Sequence, residues 1–426
     1  MPEMTPEATR GAADQAGPAV PVFKPYTAKA DFPWEELARD RSRCPVAHSE
    51  HLDAVQISSY AGVKEVMNKV AEAFTGTYST LWPLTEPLPV DQQVFPSADP
   101  PRHTRQRKLF VKALSASRIA HMRPFSERLA ERLLDGILAR GTGFDLVTAY
   151  SRRISEGHIA ELLGLPEELR ERFMYLSTLT ELSTADGKGM GYRAELDEWQ
   201  AQLAGMVRER RAAGEDSDDL ITRLCFAEDE DEDEGDRLSE LEVASLIRAM
   251  IRAGNTTSAA ALTNTVAALE RHPEQKAKYL ADIEGLTPSL VEEGLRYDGP
   301  ALGLWRRCAR ETTVQGYPLT PGDRVFTVTA AANHDPEVYD RPDEFLIDRD
   351  WKELPPHLTF GWGIHHCIGV NLARLELETA LAALYRRLPG LRLEPGAEIP
   401  QVPGPVFRNW LSLPMVFDPV STGAGR

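Results

Sequence analysis

Cysteine is scarce in this sequence, and long apolar runs are absent. The 426 residues include four cysteines, Cys44, Cys225, Cys308 and Cys367, and no two of them form a CxxC pair. Scattered cysteines favour a reducing compartment over a disulfide framework. No stretch approaches the roughly 18 consecutive apolar residues of a membrane span, and the N-terminal residues lack the pattern of a signal peptide. We therefore expect a cytoplasmic protein with no membrane partner.

Basic residues are fewer than acidic residues in this sequence. The chain has 48 Lys and Arg against 65 Asp and Glu, a net charge of −17 with His neutral. Nucleic acids are bound by clustered cations, so this balance argues against a nucleic-acid partner. The 42% hydrophobic and 27% charged residues are typical of a folded globular protein. The length permits a core that encloses a sizeable ligand.

Two segments differ in composition from the rest of the chain. Residues 1–30 are rich in Pro, Ala and Gly, which predicts a disordered N-terminal tail. We expect residues 31–426 to form a single domain. Residues 228–236 are mostly Glu and Asp, and repulsion between these side chains predicts a solvated loop.

The pattern elsewhere is mainly helical. Ser239 and Glu242 have the spacing of a capping box, and the residues that follow are apolar and small until His272 and Pro273. This predicts a buried helix of roughly 32 residues, or about 48 Å. Strand-like runs are few, near residues 54–58, 324–329 and 411–417. The fold class is therefore mainly α with a minor sheet component.

One cysteine has an unusual setting. Residues 360–369 read Phe-Gly-Trp-Gly-Ile-His-His-Cys-Ile-Gly, and a helical pattern follows at once. Glycine permits close approach of the main chain to a flat ligand. Cys367 lies just ahead of a helix N-terminus, whose free N–H groups favour a thiolate suited to ligating iron. Adjacent His365 and His366 leave a Cys/His hydrolase as an alternative, although no acidic third member is evident nearby.

This segment resembles the heme-binding signature of the cytochrome P450 family, Phe-Gly-x-Gly-x-His/Arg-x-Cys-x-Gly. The matching residues are Phe360, Gly361, Gly363, His365, Cys367 and Gly369. The resemblance implies a large helical domain with a small β-rich lobe. It also implies heme b (iron protoporphyrin IX) as cofactor, Cys367 as the ligand of its iron, and dioxygen as co-substrate.

Further motifs of the family occur in the expected order. Glu293 and Arg296 resemble its Glu-x-x-Arg motif, and Arg349 lies where the family supplies a third partner to this structural network. Two heme propionates require cations or donors. By resemblance these are His103 and Arg107, which share a helix face, together with Arg307 and His365.

The long helix carries the pattern of an oxygen-activation site with one departure. Residues Ala253, Gly254, Asn255, Thr256 and Thr257 resemble the family sequence Ala/Gly-Gly-x-Asp/Glu-Thr. Thr257 matches the alcohol that passes protons, but Thr256 takes the place of the usual acid. We therefore expect a monooxygenase whose protons come through water, Asn255, Thr256 or the substrate. Oxidative coupling without oxygen insertion, and a non-catalytic heme-binding or sensor protein, remain alternatives.

The resemblance also suggests a substrate and a partner. Matching positions predict an apolar pocket, and hence a largely apolar or aromatic small molecule. Its lining residues would be Tyr78, Trp82, Leu246, Ala249, Met250, Ala301, Leu302 and Phe407. Electrons would come from a ferredoxin and a ferredoxin reductase. The ferredoxin would dock on a basic helix face that carries Arg102, Arg105, Arg107, Lys108 and Lys112.

Overall fold

The structure is a computed structural model that describes residues 34–50, 52–79, 86–90, 93–172, 175, 193–214, 217–228, 237–401 and 406–419. The predicted tail over residues 1–30, all but the first residue of the acidic segment 228–236, and Trp82 lie outside these residues. The prediction of one domain over residues 31–426 stays a prediction.

Helices dominate the part of the chain that the structure describes, which confirms the mainly α class. In chain order they are α1 (Trp34–Arg43), α2 (Tyr60–Asn68), α3 (Arg102–Ala113), α4 (Ala116–His121), α5 (Arg123–Leu138), α6 (Arg152–Leu163), α7 (Arg193–Ala213), α8 (Leu220–Phe226), α9 (Glu240–Arg271), α10 (Pro273–Ala281), α11 (Ile283–Tyr297), α12 (Thr329–Ala332) and α13 (Val370–Arg387). None of these helices is both long and apolar enough to cross a membrane.

The strands are short and form three small sheets. They are β1 (Val46–Ser49), β2 (Ala54–Ile57), β3 (Phe74–Thr75), β4 (Gly143–Asp145), β5 (Leu304–Cys308), β6 (Thr312–Val314), β7 (Tyr317–Leu319), β8 (Arg324–Thr327), β9 (Arg392–Leu393) and β10 (Pro414–Val416). The sheets have the orders β1-β2-β8-β5-β3, β4-β10-β9 and β6-β7. Strands β2 and β8 run parallel, and the other paired strands are antiparallel. The three predicted strand segments contain β2, β8 and β10, each somewhat shorter than predicted.

The long helix α9 forms as predicted. Ser239 accepts a hydrogen bond from the backbone N–H of Glu242, and the Glu242 side chain accepts one from the backbone N–H of Ser239. Both contacts satisfy backbone groups that a helix start leaves unpaired. The helix runs for 32 residues and ends at Arg271, because the ring of Pro273 prevents its continuation.

Helix α9 connects two hydrophobic clusters. The residues before its middle pack with α3, α6, α7 and α8, and those after it pack with α5, α11 and α13. Leu246 belongs to the first cluster and Leu262 to the second. The segment from Ala253 to Thr257 lies between them, where the helix is held firmly at both ends.

Candidate functional site

The cysteine loop has a backbone that only glycine accommodates at two positions. Gly361 and Gly363 have φ of +70° and +69°, in the left-handed region. A Cβ on Gly363 would also lie 2.6 Å from the carbonyl oxygen of Met67 at the end of α2. The loop then closes on itself, because the Cys367 N–H donates to the Phe360 carbonyl at 2.8 Å. These contacts fix the position of Cys367 just ahead of α13.

The Cys367 side chain is exposed on one side and surrounded by protein on the others. Burial raises the pKa of its thiol, while the Gly369 N–H and the charge of Arg107 act in the opposite direction. The donors that the sequence predicted to favour a thiolate are thus present, but in the protein alone burial outweighs them. A cation at the sulfur would reverse that balance.

A buried ion network stands behind the loop. Arg296 makes a two-pronged contact with Glu293, with both distances 2.8 Å, and both side chains are fully buried. Arg349 Nε lies 3.1 Å from the same carboxylate. The structure thus brings together all three residues of the predicted network, and Glu293 has both oxygens in contact with a guanidinium.

Asn333 connects this network to the cysteine loop. Arg296 donates to the Asn333 carbonyl at 3.0 Å, and the Asn333 side chain accepts from the Leu358 N–H at 2.7 Å. The same amide donates to the Thr359 hydroxyl at 2.8 Å. The start of the cysteine loop is therefore held by a side chain that the ion network positions.

Three of the predicted propionate donors meet beside the loop. His103 Nε2 donates to the Ile364 carbonyl at 3.0 Å, and Arg107 donates to the His366 carbonyl at 2.7 Å. The rings of His103 and His365 are 4.6 Å apart. Burial, and then the charges of Arg306, His103 and Arg107, lower the pKa of His365 to about 3. Two guanidinium groups and two histidine rings are thus concentrated here, and the acidic residue whose charge also acts on His103 and Arg306 is Asp99.

The structure does not bring Arg307, the fourth predicted donor, to this group. Its guanidinium lies 4.3 Å from the ring centroid of Tyr78 and donates to the Gly322 carbonyl. Neighbouring residues of a strand point to opposite sides, and it is Arg306 whose charge acts on His365. Arg306 is 5% exposed, and its Nε has no hydrogen-bond partner among the residues that the structure describes. Arg306 is therefore a further candidate donor next to Arg307, whose assignment stays a prediction.

One stripe of α9 remains incompletely buried although it lies in the middle of the molecule. Ala253 is exposed, and Ala249, Met250 and Thr257 are half-buried. Their spacing of three and four residues places them on one helix face. The Thr257 hydroxyl donates to the Ala253 carbonyl at 2.5 Å. This face can border a ligand, as the sequence predicted for all four residues.

The adjacent face of α9 packs on α6. Gly254 accepts a hydrogen bond from the Ser155 hydroxyl at 2.9 Å, and a Cβ at this glycine would lie 2.5 Å from Ile159 Cδ1. Asn255 and Thr256 are buried on this side and line a small cavity that Glu156 of α6 also lines. No sequence pattern pointed to Glu156, because its proximity depends on how the two helices cross.

The predicted pocket residues are partly dispersed. Ala301 and Phe407 form a bridge between two chain segments, with Leu302 buried beside it. Leu246 is 1% exposed and packs within the core instead of facing open space. Tyr78 contacts Arg307.

The basic face of α3 is partly neutralised. Arg102 and Arg105 both approach Glu242 of α9, at 3.7 and 2.9 Å. Lys108 and Lys112 remain exposed, close to exposed Val111 on the same helix. The five-cation surface that the sequence suggested is therefore narrower than predicted.

The residues present fit a heme. Neither ring nitrogen of buried His365 makes a hydrogen bond of good geometry within the described residues, and the same holds for His103 Nδ1. When protonated, these ring nitrogens can donate to propionate groups, whose negative charge favours that form. Cys367 and the face of α9 that includes Ala253 are exposed in an otherwise largely buried region. A flat ligand with two carboxylates would meet an available sulfur and a cluster of cations.

Comparisons with known proteins agree with this geometry. The family described as Cytochrome P450 matches residues 192–401. The chain is 35% identical to mycinamicin IV hydroxylase/epoxidase of Micromonospora griseorubida, over 75% of this chain and 79% of the relative. It is 35% identical to vitamin D(3) 25-hydroxylase of Pseudonocardia autotrophica, over 70% and 72%. The solved structure of PksS, the cytochrome P450 of the Bacillus subtilis bacillaene polyketide synthase, superposes with a TM-score of 0.82 at 27% identity, covering 93% of this chain and 100% of that one.

Proposed function

The chain belongs to the cytochrome P450 family, and on that premise we propose which of its residues hold the cofactor and which handle protons. It is a heme monooxygenase that acts on a small molecule and receives electrons from a redox partner. When bound, the heme iron activates dioxygen, of which one atom is transferred to the substrate.

We propose that the cofactor is heme b and that Cys367 would ligate its iron. His103, Arg107, Arg306 and His365 bind its propionates, and Gly361, Gly363 and Gly369 let the loop approach the porphyrin. Phe360 packs beneath the loop, with the Arg374 guanidinium 5.3 Å from its ring centroid. The single observation that supports this assignment best is the convergence of two guanidinium groups and two histidine rings beside an exposed cysteine. Glu293, Arg296 and Arg349 would keep the loop in place.

On α9, Ala253 lies on the face that would border the cofactor, and Thr257 holds a transferable proton at the same face. Gly254 instead lets α6 pack closely against the adjacent face. Asn255 and Thr256 lie on the adjacent face of α9, toward α6. The Thr256 hydroxyl can relay a proton but does not ionise near neutral pH, so it does not replace a carboxylate. Oxidative coupling without oxygen insertion is the second candidate reaction, because the replacement of the usual acid by Thr256 departs from the family's oxygen-activation pattern.

We infer a largely apolar natural product of specialised metabolism as the substrate. Ala249, Met250, Ala301, Leu302 and Phe407 are apolar residues at the proposed pocket. The named relatives act on mycinamicin IV and vitamin D(3), which belong to this broad class of molecule. We also infer that the enzyme works in the cytoplasm, consistent with its free cysteines.

We propose a ferredoxin as the electron donor. Lys108 and Lys112 are exposed on α3, and Val111 and Ile364 are exposed at 48% and 37%. A mixed apolar and cationic surface beside the cysteine loop suits an acidic partner. Reduction by a surrogate ferredoxin should slow as salt rises, and Lys112→Glu should reduce the salt dependence.

The ferrous–CO spectrum tests the cofactor assignment. Cys367→Ala should abolish the long-wavelength band that a thiolate ligand produces, without grossly unfolding the chain. Cys44→Ala is the matched control, because Cys44 is also free and exposed. A long-wavelength band that survives in Cys367→Ala, or one that Cys44→Ala removes, would refute the assignment.

A further inference from the structure

The missing acid of α9 raises the question of which group supplies protons to Thr257. An effective proton donor has a pKa near the working pH, so that it can both release and regain a proton. Asn255 and Thr256 do not titrate in that range. A carboxylate for this purpose must therefore come from another part of the fold.

Helix α6 reaches the required part of α9. The Ser155 hydroxyl donates to the Gly254 carbonyl at 2.9 Å, and Ile159 packs against the same glycine. Gly254 permits this approach, because a Cβ there would lie 2.5 Å from Ile159 Cδ1. Glu156 is the residue after Ser155, and it lies close to the residues of α9 that directly follow Gly254.

A cavity joins Glu156 to that turn. It has a volume of about 20 Å³ and is lined by Glu156, Asn255 and Thr256, with Arg152 and Asn409 among the other polar residues. Roughly 10–15 Å³ is enough for one water molecule, and the polar lining offers hydrogen bonds to it. Glu156 Oε2 has no hydrogen-bond partner within the described residues, so it is available to such a water.

Arg153 connects Glu156 to a second space on the other side of α6. This recess of about 250 Å³ between α5 and α6 is lined by Arg153, Arg132, Arg140 and Thr148. Arg153 Nη1 lies 4.0 Å from Glu156 Oε2, and the Glu156 side chain is 12% exposed. Glu156 therefore lines the inner cavity itself and reaches the outer recess through its neighbour Arg153.

The charge environment allows Glu156 to change its protonation state. Burial raises the pKa of Glu156 to about 7, although Arg153 and Arg152 oppose the rise. Arg132 and Arg140 face the outer recess from α5, whereas the groups of α9 and of residues 409–410 that line the inner cavity are uncharged.

We propose that Glu156 supplies the carboxylate that α9 lacks and passes protons from solvent to Thr256. The Glu156 carboxyl gives its proton to the cavity water, which passes a proton to the Thr256 hydroxyl as that hydroxyl releases its own toward Thr257. The resulting carboxylate regains a proton from water in the outer recess. Because Glu156 acts through Thr256, it is a positioning residue, and the inference depends on the proposed function.

Infrared difference spectroscopy of the resting protein tests the first half of this proposal without turnover. The carbonyl band of a protonated carboxylic acid should disappear as the pH rises through about 7 in the natural protein. Glu156→Gln should lack this transition, whereas Glu161→Gln, an exposed glutamate on the same helix, should keep it. Burial raises the pKa of Glu376 too, so Glu376→Gln is a second control that should also keep the transition. A transition that persists in Glu156→Gln overturns the proposal.

Reductant use tests the second half. NADPH oxidation is followed with a surrogate ferredoxin and reductase, without added substrate, together with peroxide released per dioxygen consumed. Glu156→Gln should slow the oxidation about fivefold, increase the solvent isotope effect and raise the peroxide fraction. Glu156→Asp should recover part of the rate. The double variant Glu156→Gln/Thr256→Asp should return to within about twofold of the natural protein, because it restores an acid on α9.

The outcomes separate two failures. If the natural protein oxidises no NADPH and gives no ferrous–CO band, the proposed function is wrong and this inference with it. If it turns over, but Glu156→Gln behaves like Glu161→Gln, only the relay is wrong. The relay is equally overturned if Glu376→Gln alone produces the effects expected of Glu156→Gln.

Discussion

The two sides of the proposed heme site use acidic residues in opposite ways. Behind the cysteine loop, Glu293 is fully buried and both of its oxygens contact Arg296 and Arg349. Along α9, Glu156 and Glu376 each keep one oxygen without a hydrogen-bond partner within the described residues. The first arrangement fixes geometry, because the carboxylate and both guanidinium groups have fixed hydrogen-bond partners. The second leaves groups that can exchange protons.

This contrast teaches where the chain tolerates change. On the cysteine side the sequence matches the family pattern at every quoted position, because each residue has several fixed partners. On the α9 side the usual acid is replaced by Thr256, and a nearby helix offers a carboxylate. A proton path needs only a donor within reach of the water that it serves, so several elements can supply it.

The largest expected difference between the two sides is in stability. Glu293→Gln leaves buried guanidinium charge without its carboxylate and should lower the free energy of unfolding by about 3–5 kcal/mol. Urea unfolding measures this change. Glu344→Gln is the control, because Glu344 pairs with Arg341 at the surface and the change should cost about 0–1 kcal/mol. Equal losses in both variants would contradict the view that the network is rigid and essential.

A second experiment concerns which arginine holds the cofactor. Arg306→Ala should weaken heme retention about tenfold or more, since a charge-assisted hydrogen bond contributes roughly 1.5–3 kcal/mol. Arg307→Ala should change heme retention little, because Arg307 contacts Tyr78 instead. Heme transfer to apomyoglobin measures the loss rate. A larger effect of Arg307→Ala would restore the original assignment.

The smallest expected effect distinguishes two neighbouring hydroxyls of α9. Thr257→Ala should uncouple reductant use from product about tenfold, because Thr257 lies on the half-buried face beside the cofactor space. Thr256→Ala should have a smaller effect, since water in the adjacent cavity can partly substitute for its hydroxyl. The ratio of product to NADPH consumed, with a substrate identified by spectral screening, measures both. Equal and negligible effects would remove Thr257 from the proton path.

Local signals account for what the sequence predicted well. The start of α9 at Ser239 and its end before Pro273 depend on capping and on the proline ring, which act within a few residues. The cysteine loop is likewise defined by glycines at fixed positions. Features of this kind can be predicted from sequence because the residues that cause them are close together along the chain.

The sequence did not reveal those features that depend on residues far apart along the chain. In β5 both Trp305 and Arg306 are buried, so alternation of apolar and polar residues could not show which arginine faces the site. The basic surface of α3 is reduced by Glu242, which lies more than a hundred residues away along the chain. Glu156 acquires its neighbours only because α6 crosses α9 at Gly254.

The absence of a side chain at Gly363 lets α2 pack closely against the cysteine loop. The Met67 carbonyl oxygen lies 2.6 Å from where a Cβ would be, and Lys64 of the same helix α2 sits 3.9 Å from the ring centroid of Trp362. A movement of α2 should therefore displace the cysteine loop as well. The absorption spectrum of the heme-loaded protein should consequently respond to mutations in α2, although these mutations touch neither porphyrin nor substrate.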